Sequence, residues 1–215
     1  MAELVGATAP KAIDLAVAAL QQGDLVGIPT ETVYGICALP GHAPVERLIA
    51  AKQRSSEKGI QLLVDSLDQV RALAVVTAAA ERLAARFWPG GLTIVLGRRP
   101  DVDLTPLLGG GRPTLGLRLP DHDVPRALAR RLGPIAASSA NVSGRLDATT
   151  AALVEQALGD LLTLIVDDGP VRGGTPSTVV DCSDAAVPPR ILREGAISAA
   201  DITAALSYRA KLALP

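Results

Sequence analysis

The chain predicts an α/β fold, and three observations lead there. Short apolar runs of strand length alternate along it with amphipathic helical stripes. The core material is aliphatic, since 48% of the 215 residues are hydrophobic but only 2% are aromatic. No Gly/Ser-rich or Pro-rich stretch long enough to be a linker divides the sequence, and it has no internal repeat. This length suits one large domain or two small ones. The unbroken pattern reads as a single domain over 1–215, with a core of about 8–197, a short helical tail over 198–215 and no second domain.

The elements follow in order. Residues 11–22 place Ile13, Ala16, Val17 and Leu20 on one helical face, and Gly23 stops the helix. Residues 25–28 form a short apolar strand, which Pro29 ends because it cannot donate to a central ladder. Beyond it Thr30, Thr32 and Tyr34 alternate with Glu31 and Val33, so an extended segment puts three hydroxyls on one face. A core would want those positions apolar, because an unpaired buried hydroxyl is costly. The pattern reads as a binding wall, with an ordinary Thr-rich edge strand as the plain alternative.

Residues 43–52 carry a second helical stripe at Val45, Leu48 and Ile49, and Pro44 suits its first turn. Lys52 continues the stripe at the helix end, with its stem on the buried face and its ammonium at the rim. Arg54 and Lys58 complete a basic cluster. Complementing the helix macrodipole accounts for Lys52 without a ligand, and for Arg54 less well. Further strand-like runs lie at 61–64, 92–96, 114–119, 135–137, 162–166, 178–180 and 190–192. Helical patterns fall around Arg71, Glu81, Ala127 and Leu153, and over the tail from Ala199 to Leu206.

Two of these strands carry polar groups. In 114–119, Leu115, Leu117 and Leu119 share one face, while Gly116 and Arg118 share the other. Arg118 therefore projects away from the apolar layer with space beside it, as a bidentate grip on phosphate or carboxylate needs; a solvated sheet face is the alternative. The strand at 135–137 opens into Ser138, Ser139, Asn141, Ser143 and Gly144, which offer closely spaced donors and also suit an ordinary turn.

Several motifs stand in order over nearly the whole length. They are Pro29-Thr-Glu-Thr-Val-Tyr-Gly35, Lys52-Gln-Arg54 with Lys58-Gly59, and Phe87-Trp-Pro-Gly90 with Leu92-Thr93. Leu117-Arg-Leu-Pro120, Ser138-Ser-Ala-Asn141 with Ser143-Gly144, Ser177-Thr-Val-Val-Asp181, and Leu192-Arg193 with Gly195 follow. Each is weak alone; together they make the chain resemble the YrdC-like family of threonylcarbamoyl-adenylate synthases. It departs from the family's usual prolines at Ser55, Gly91 and Glu194, and Glu194 stands where it can neutralise part of the charge of Arg193.

The resemblance implies a twisted open mixed sheet with flanking helices and a concave basic site. It implies that L-threonine, bicarbonate and ATP give threonylcarbamoyl-AMP and pyrophosphate, after which a partner complex moves the threonylcarbamoyl group onto tRNA. Lys52 and Arg54 are the expected catalytic cations. Thr30, Thr32, Tyr34, Arg118 and Ser177 are the expected threonine side. Lys52, Arg54, Ser139, Asn141, Thr178 and Arg193 are the expected ATP side. Magnesium is expected with ATP, since it neutralises the triphosphate; no protein ligand is assigned to it, and no organic cofactor is expected.

Composition excludes other classes. A net charge of −1 argues against a generally basic nucleic-acid binder. Neither G-x-x-x-x-G-K-[ST] nor G-x-G-x-x-G occurs, and Gly109-Gly-Gly111 is too bare to cradle phosphate. There is no Ser-His-Asp order, and His42 and His122 read as surface or loop histidines. Cys37 and Cys182 form no metal or redox motif. No signal peptide or long apolar span is present, so a cytoplasmic location and no membrane contact are expected. Two alternatives stay open: a tRNA- or double-stranded-RNA-binding module, whose surface Arg126, Arg130 and Arg131 would extend, and a carbamoyl-transfer paralogue with the same pocket.

Overall fold

The computed structural model describes residues 1–207. In chain order the elements are β1 (Glu3–Gly6), α1 (Ala12–Gln21), β2 (Val26–Ile28), β3 (Gly35–Ala38), α2 (His42–Ala51), β4 (Gln61–Leu63) and α3 (Leu67–Leu73). Next come β5 (Ala74–Val75), α4 (Ala78–Phe87), β6 (Leu92–Arg98), β7 (Thr114–Arg118), α5 (Asp123–Leu132) and β8 (Ile135–Ser139). The last are α6 (Ala151–Leu158), β9 (Leu164–Asp167), β10 (Thr178–Asp181), β11 (Arg190–Arg193) and α7 (Ala199–Ser207). Side chains at the boundaries start several helices: Ser66, Thr77 and Thr150 each accept from the backbone N–H three residues on.

Three expectations change. The core begins at Glu3 rather than near residue 8, because β1 pairs in parallel with β9. A strand unmarked in the sequence, β3, follows the Thr-rich segment and pairs antiparallel with both β2 and β8. The tail expected over 198–215 is helical across Ala199–Ser207, and 208–215 lies outside the described residues.

One mixed sheet runs in the order β1-β9-β2-β3-β8-β4-β7-β6-β10-β11, with β5 on β6 off this path. Its register sets Ala136, Leu62, Leu117, Ile94 and Val180 in one row across five strands. All five are fully buried. They pack with the apolar sides of α2, α4, α6 and α7. Gly27 lets α6 come close, since a Cβ there would sit 3.1 Å from Ile165 and 3.2 Å from Val154.

The neighbouring residues point to the opposite face. Over β9, β2, β3 and β8 that face is covered by α1 and α5, through Ala16, Leu20, Val124 and Leu128. Over β4, β7, β6 and β10 it carries Gln61, Gly116, Thr93, Val95 and Val179, which line a cavity. Among the described residues no helix is long and apolar enough to cross a membrane.

Candidate active site

The cavity holds about 690 Å³ and lies over the uncovered sheet face, between the loop after α2 and the ends of β8, β10 and β11. Gly116 keeps its floor low: a Cβ there would reach 3.4 Å from Thr93 and 3.8 Å from Gln61, so anything larger than a methyl fills the space. On that floor Thr93 Oγ1 donates to Gln61 Oε1 at 2.7 Å and lies 2.8 Å from Ser177 Oγ. Arg193 joins by donating from Nη2 to the Ser177 carbonyl at 2.7 Å.

Two motifs far apart in sequence interlock at one wall. Helix α2 ends at Ala51, Lys52 caps it, and Gln53 turns the chain at a φ of 49°, a left-handed conformation uncommon for a residue with a side chain. This turn sends Lys52 inward, where it is only 3% exposed. Its ammonium donates to the Ser139 carbonyl at 2.5 Å, the Asn141 carbonyl at 2.8 Å and Asn141 Oδ1 at 2.8 Å. Ser139 Oγ donates to the same Oδ1 at 2.7 Å, and Asn141 Nδ2 donates to the Arg145 carbonyl at 2.6 Å. The ammonium expected at the rim is therefore enclosed, with its donors engaged by the strand end it faces. Burial, and then the charge of Arg54, hold the Lys52 pKa down at about 8, while Asp147 pulls the other way.

Arg54 sits beside it, half-buried, donating to Ser138 Oγ at 3.3 Å and to the Gly59 carbonyl at 3.0 Å. Among the described residues its Nε is buried without a partner, and burial followed by the charge of Arg193 lowers its pKa. Lys58 and Arg112 stand at the rim. The glycine loop is packing rather than a cradle: a Cβ on Gly109 would meet Thr114 O at 2.5 Å, and Gly110 has a φ of 62° and presses on the Glu57 carbonyl.

Arg118 reaches the cavity from β7 but is 2% exposed, so it is no solvated sheet residue. Its Nε donates to the Gly90 carbonyl at 3.1 Å, and its Nη2 donates to Glu31 Oε1 at 2.8 Å and Thr32 Oγ1 at 2.9 Å. The other Glu31 oxygen is buried without a partner among the described residues. Among the described residues Nη1 of Arg118 forms no hydrogen bond.

The Thr-rich segment is corrected in detail, because it curls instead of extending. Thr30 Oγ1 donates to the Val33 carbonyl at 2.6 Å and accepts from the N–H groups of Thr32 and Val33, so it builds the turn. Thr32 lies behind Arg118. Tyr34 is fully buried, donating to the Gly169 carbonyl at 2.7 Å and to Asp167 Oδ1 at 3.1 Å. Burial pushes its phenol up to about 12. None of the three hydroxyl residues lines the cavity, whereas Val33 does. Thr178 is likewise internal: its hydroxyl donates to the Ile197 carbonyl at 2.6 Å and accepts from Gly195 N and Ile197 N.

Of the expected site residues, the fold brings Lys52, Arg54, Arg118, Ser139, Asn141, Ser177 and Arg193 together. Glu194 does not reach Arg193, since its Oε1 accepts from Ala199 N at the start of α7. Gln61, Thr93 and Asp147 were not expected in the site; Thr93 was legible only as part of a motif, and Gln61 and Asp147 gave no local signal. The arginines proposed for an RNA surface are engaged elsewhere: Arg126 and Arg130 pair with Asp65, and Arg131 with Asp14.

Among the described residues six cations and a hydroxyl network line this sheet-face cavity, a charge and donor set suited to anionic small molecules. The chain belongs to the Sua5/YciO/YrdC family, whose model, described as telomere recombination, matches residues 18–195. It is 38% identical over 194 residues to a threonylcarbamoyl-AMP synthase of Bacillus subtilis strain 168, covering 89% of this chain and 55% of that protein. A threonylcarbamoyl-AMP synthase of Chromohalobacter salexigens is 40% identical over 171 residues, covering 77% and 90%. The crystal structure of Pyrococcus abyssi Sua5 complexed with L-threonine matches with a TM-score of 0.87 at 33% identity, covering 96% of this chain and 61% of that one. The chain thus spans little more than half the length of its Bacillus relative.

Proposed function

We propose that this chain is a threonylcarbamoyl-AMP synthase, a nucleotidyltransferase that joins L-threonine, bicarbonate and ATP. The observation that carries the reading is the meeting of Lys52 and Arg54 with Ser139 and Asn141 at one cavity wall. In this scheme the threonine amine condenses with bicarbonate to a carbamate and water leaves. A carbamate oxygen then attacks the α-phosphorus of ATP, the bond to the bridging oxygen breaks, and pyrophosphate departs. The barrier lies in bringing anions together and in stabilising charge on phosphate oxygens, which calls for fixed cations and not for a covalent nucleophile.

Each residue's role follows from its contacts. Arg54, held by Ser138 Oγ and the Gly59 carbonyl, brings its charge to the cavity wall. Arg193, tied by Ser177, supplies charge from the opposite wall. Lys52 contributes its charge, while Ser139 and Asn141 act as positioning residues that aim it. Arg118, held by Glu31, Thr32 and Gly90, has Nη1 left for the amino-acid carboxylate. The Gln61–Thr93–Ser177 network is suited to the substrate hydroxyl. Among the described residues no group of three or more His, Cys, Asp or Glu could hold a metal. Magnesium fits as an ion that arrives with the triphosphate and neutralises it, coordinated chiefly by phosphate oxygens and water. The product would pass, in the cytoplasm, to a threonylcarbamoyl-transfer complex acting on tRNA.

Pyrophosphate release by the purified protein is the test. The expected result is release that requires both threonine and bicarbonate and drops at least tenfold with valine, since a site built around a hydroxyl rejects the isostere lacking it. Release that is indifferent to threonine or to bicarbonate overturns the proposal.

A further inference from the structure

We propose that Asp147 is the cation-binding residue of this cavity, taking the positive charge that a substrate carries in: a magnesium ion on the nucleotide or the α-ammonium of the amino acid. The inference rests on the reading of the cavity as the ATP and threonine site. Its starting point is a charge imbalance. Among the described residues Lys52, Arg54, Lys58, Arg112, Arg118 and Arg193 line the cavity, and Asp147 is the single carboxylate in that lining.

A carboxylate in such company would ordinarily pair with a guanidinium. Asp147 does not: it forms no hydrogen bond or ion pair among the described residues, although its charge reaches both Lys52 and Arg193 and favours their cationic forms. Nor is it loosely tethered. On one side the Arg145 carbonyl is held by Asn141 Nδ2 at 2.6 Å, and on the other the Ala148 carbonyl accepts from Tyr34 N at 2.9 Å. Ala148 itself is buried. The backbone thus presents an unpaired, half-buried carboxylate to a basic cavity.

The chemistry of the substrates gives that arrangement a use. Six cations suit a triphosphate, a carboxylate and bicarbonate, but they repel the metal ion or ammonium that accompanies them. A single carboxylate supplies the missing complement. One carboxylate together with phosphate oxygens and water is the usual manner of holding magnesium at a nucleotide.

Asp147→Asn removes the charge and keeps the shape. Calorimetry on the parent and the variant would measure ATP affinity with and without magnesium, and affinity for threonine against its deaminated analogue 2,3-dihydroxybutyrate. If the cation is the metal, the tightening of ATP by magnesium shrinks about tenfold in the variant, the scale of one lost charge-assisted contact. If it is the ammonium, the preference for threonine over the analogue shrinks by a similar factor instead. In either case metal-free ATP binds the variant more tightly than the parent. A parent that binds both ligands, with both ratios unchanged in the variant, overturns the role of Asp147 alone. A parent that binds neither ligand overturns the synthase reading and takes this inference with it.

Discussion

Replacing Lys52 with Met tests the centre of the site, because Met keeps the buried stem and removes only the ammonium. Two effects on the fold oppose each other. The Ser139 and Asn141 carbonyls lose a donor, at about 1 kcal/mol each where water from the open cavity can replace it. Asn141 Oδ1 is not orphaned, because Ser139 Oγ still donates to it. Against this, the variant escapes the cost of burying charge. The folded pKa of about 8 against 10.5 ordinarily corresponds to about 3 kcal/mol, at ~1.4 kcal/mol for each tenfold change in proton affinity. The unfolding free energy near neutral pH should therefore stay within about 2 kcal/mol of the parent. Catalysis has no such compensation, and a lost preorganised cation costs on the order of 10²–10³ in turnover.

The pH dependence sharpens the same test. Between about 8 and 10.5 the unfolded parent holds a proton on Lys52 that the folded parent has released. Stability of the parent therefore gains from this group as pH rises through that window, and the variant lacks the gain. Activity of the parent falls over the same window as the ammonium disappears. Urea denaturation and pyrophosphate release, each run near neutrality and at about pH 9.5, report both quantities. Near-parent turnover in a folded Lys52→Met protein, or parent activity that stays level across the window, would refute the reasoning.

Asn141→Ala should weaken ATP binding about tenfold and Ser139→Ala about threefold, because the amide engages Lys52, Ser139 and Arg145 while the hydroxyl makes one strong bond; titration calorimetry checks the ranking, and equal or reversed losses contradict it. Gly116→Val should abolish threonine binding with little loss of stability, since its methyl groups enter the cavity and not the core; retained affinity would show that the amino acid sits away from this floor. Tyr34→Phe should cost about 1–2 kcal/mol of stability, through the unpaired Gly169 carbonyl, and leave threonine affinity unchanged. A selective loss of threonine binding there would restore the hydroxyl to the substrate side.

The fold class and most elements were legible in the chain because they depend on local periodicity. The stripe of Val45, Leu48 and Ile49 and the alternation of Leu115 and Leu117 with Gly116 and Arg118 need no distant partner to be read. The ordered motifs, with their hydroxyls, amides and cations, likewise pointed to the family and to seven residues that do meet at the cavity. Which way a polar side chain turns was not legible, because that is decided by strands and loops remote in sequence. Tyr34 faces inward because the end of β9 and the loop after it supply Asp167 and Gly169 to its hydroxyl. Thr30 is consumed by its own turn, and Thr178 by the segment leading to α7. Lys52 is enclosed only because β8 pairs with β3, the strand that leads into α2, and so brings Ser139 and Asn141 to the end of that helix. A buried donor or acceptor is stable only with a partner, and it is the tertiary fold that chooses the partner: it turned the hydroxyls of Thr30, Thr32, Tyr34 and Thr178 into structural bonds and left Asp147, silent in the sequence, without a partner among the described residues at the cavity wall.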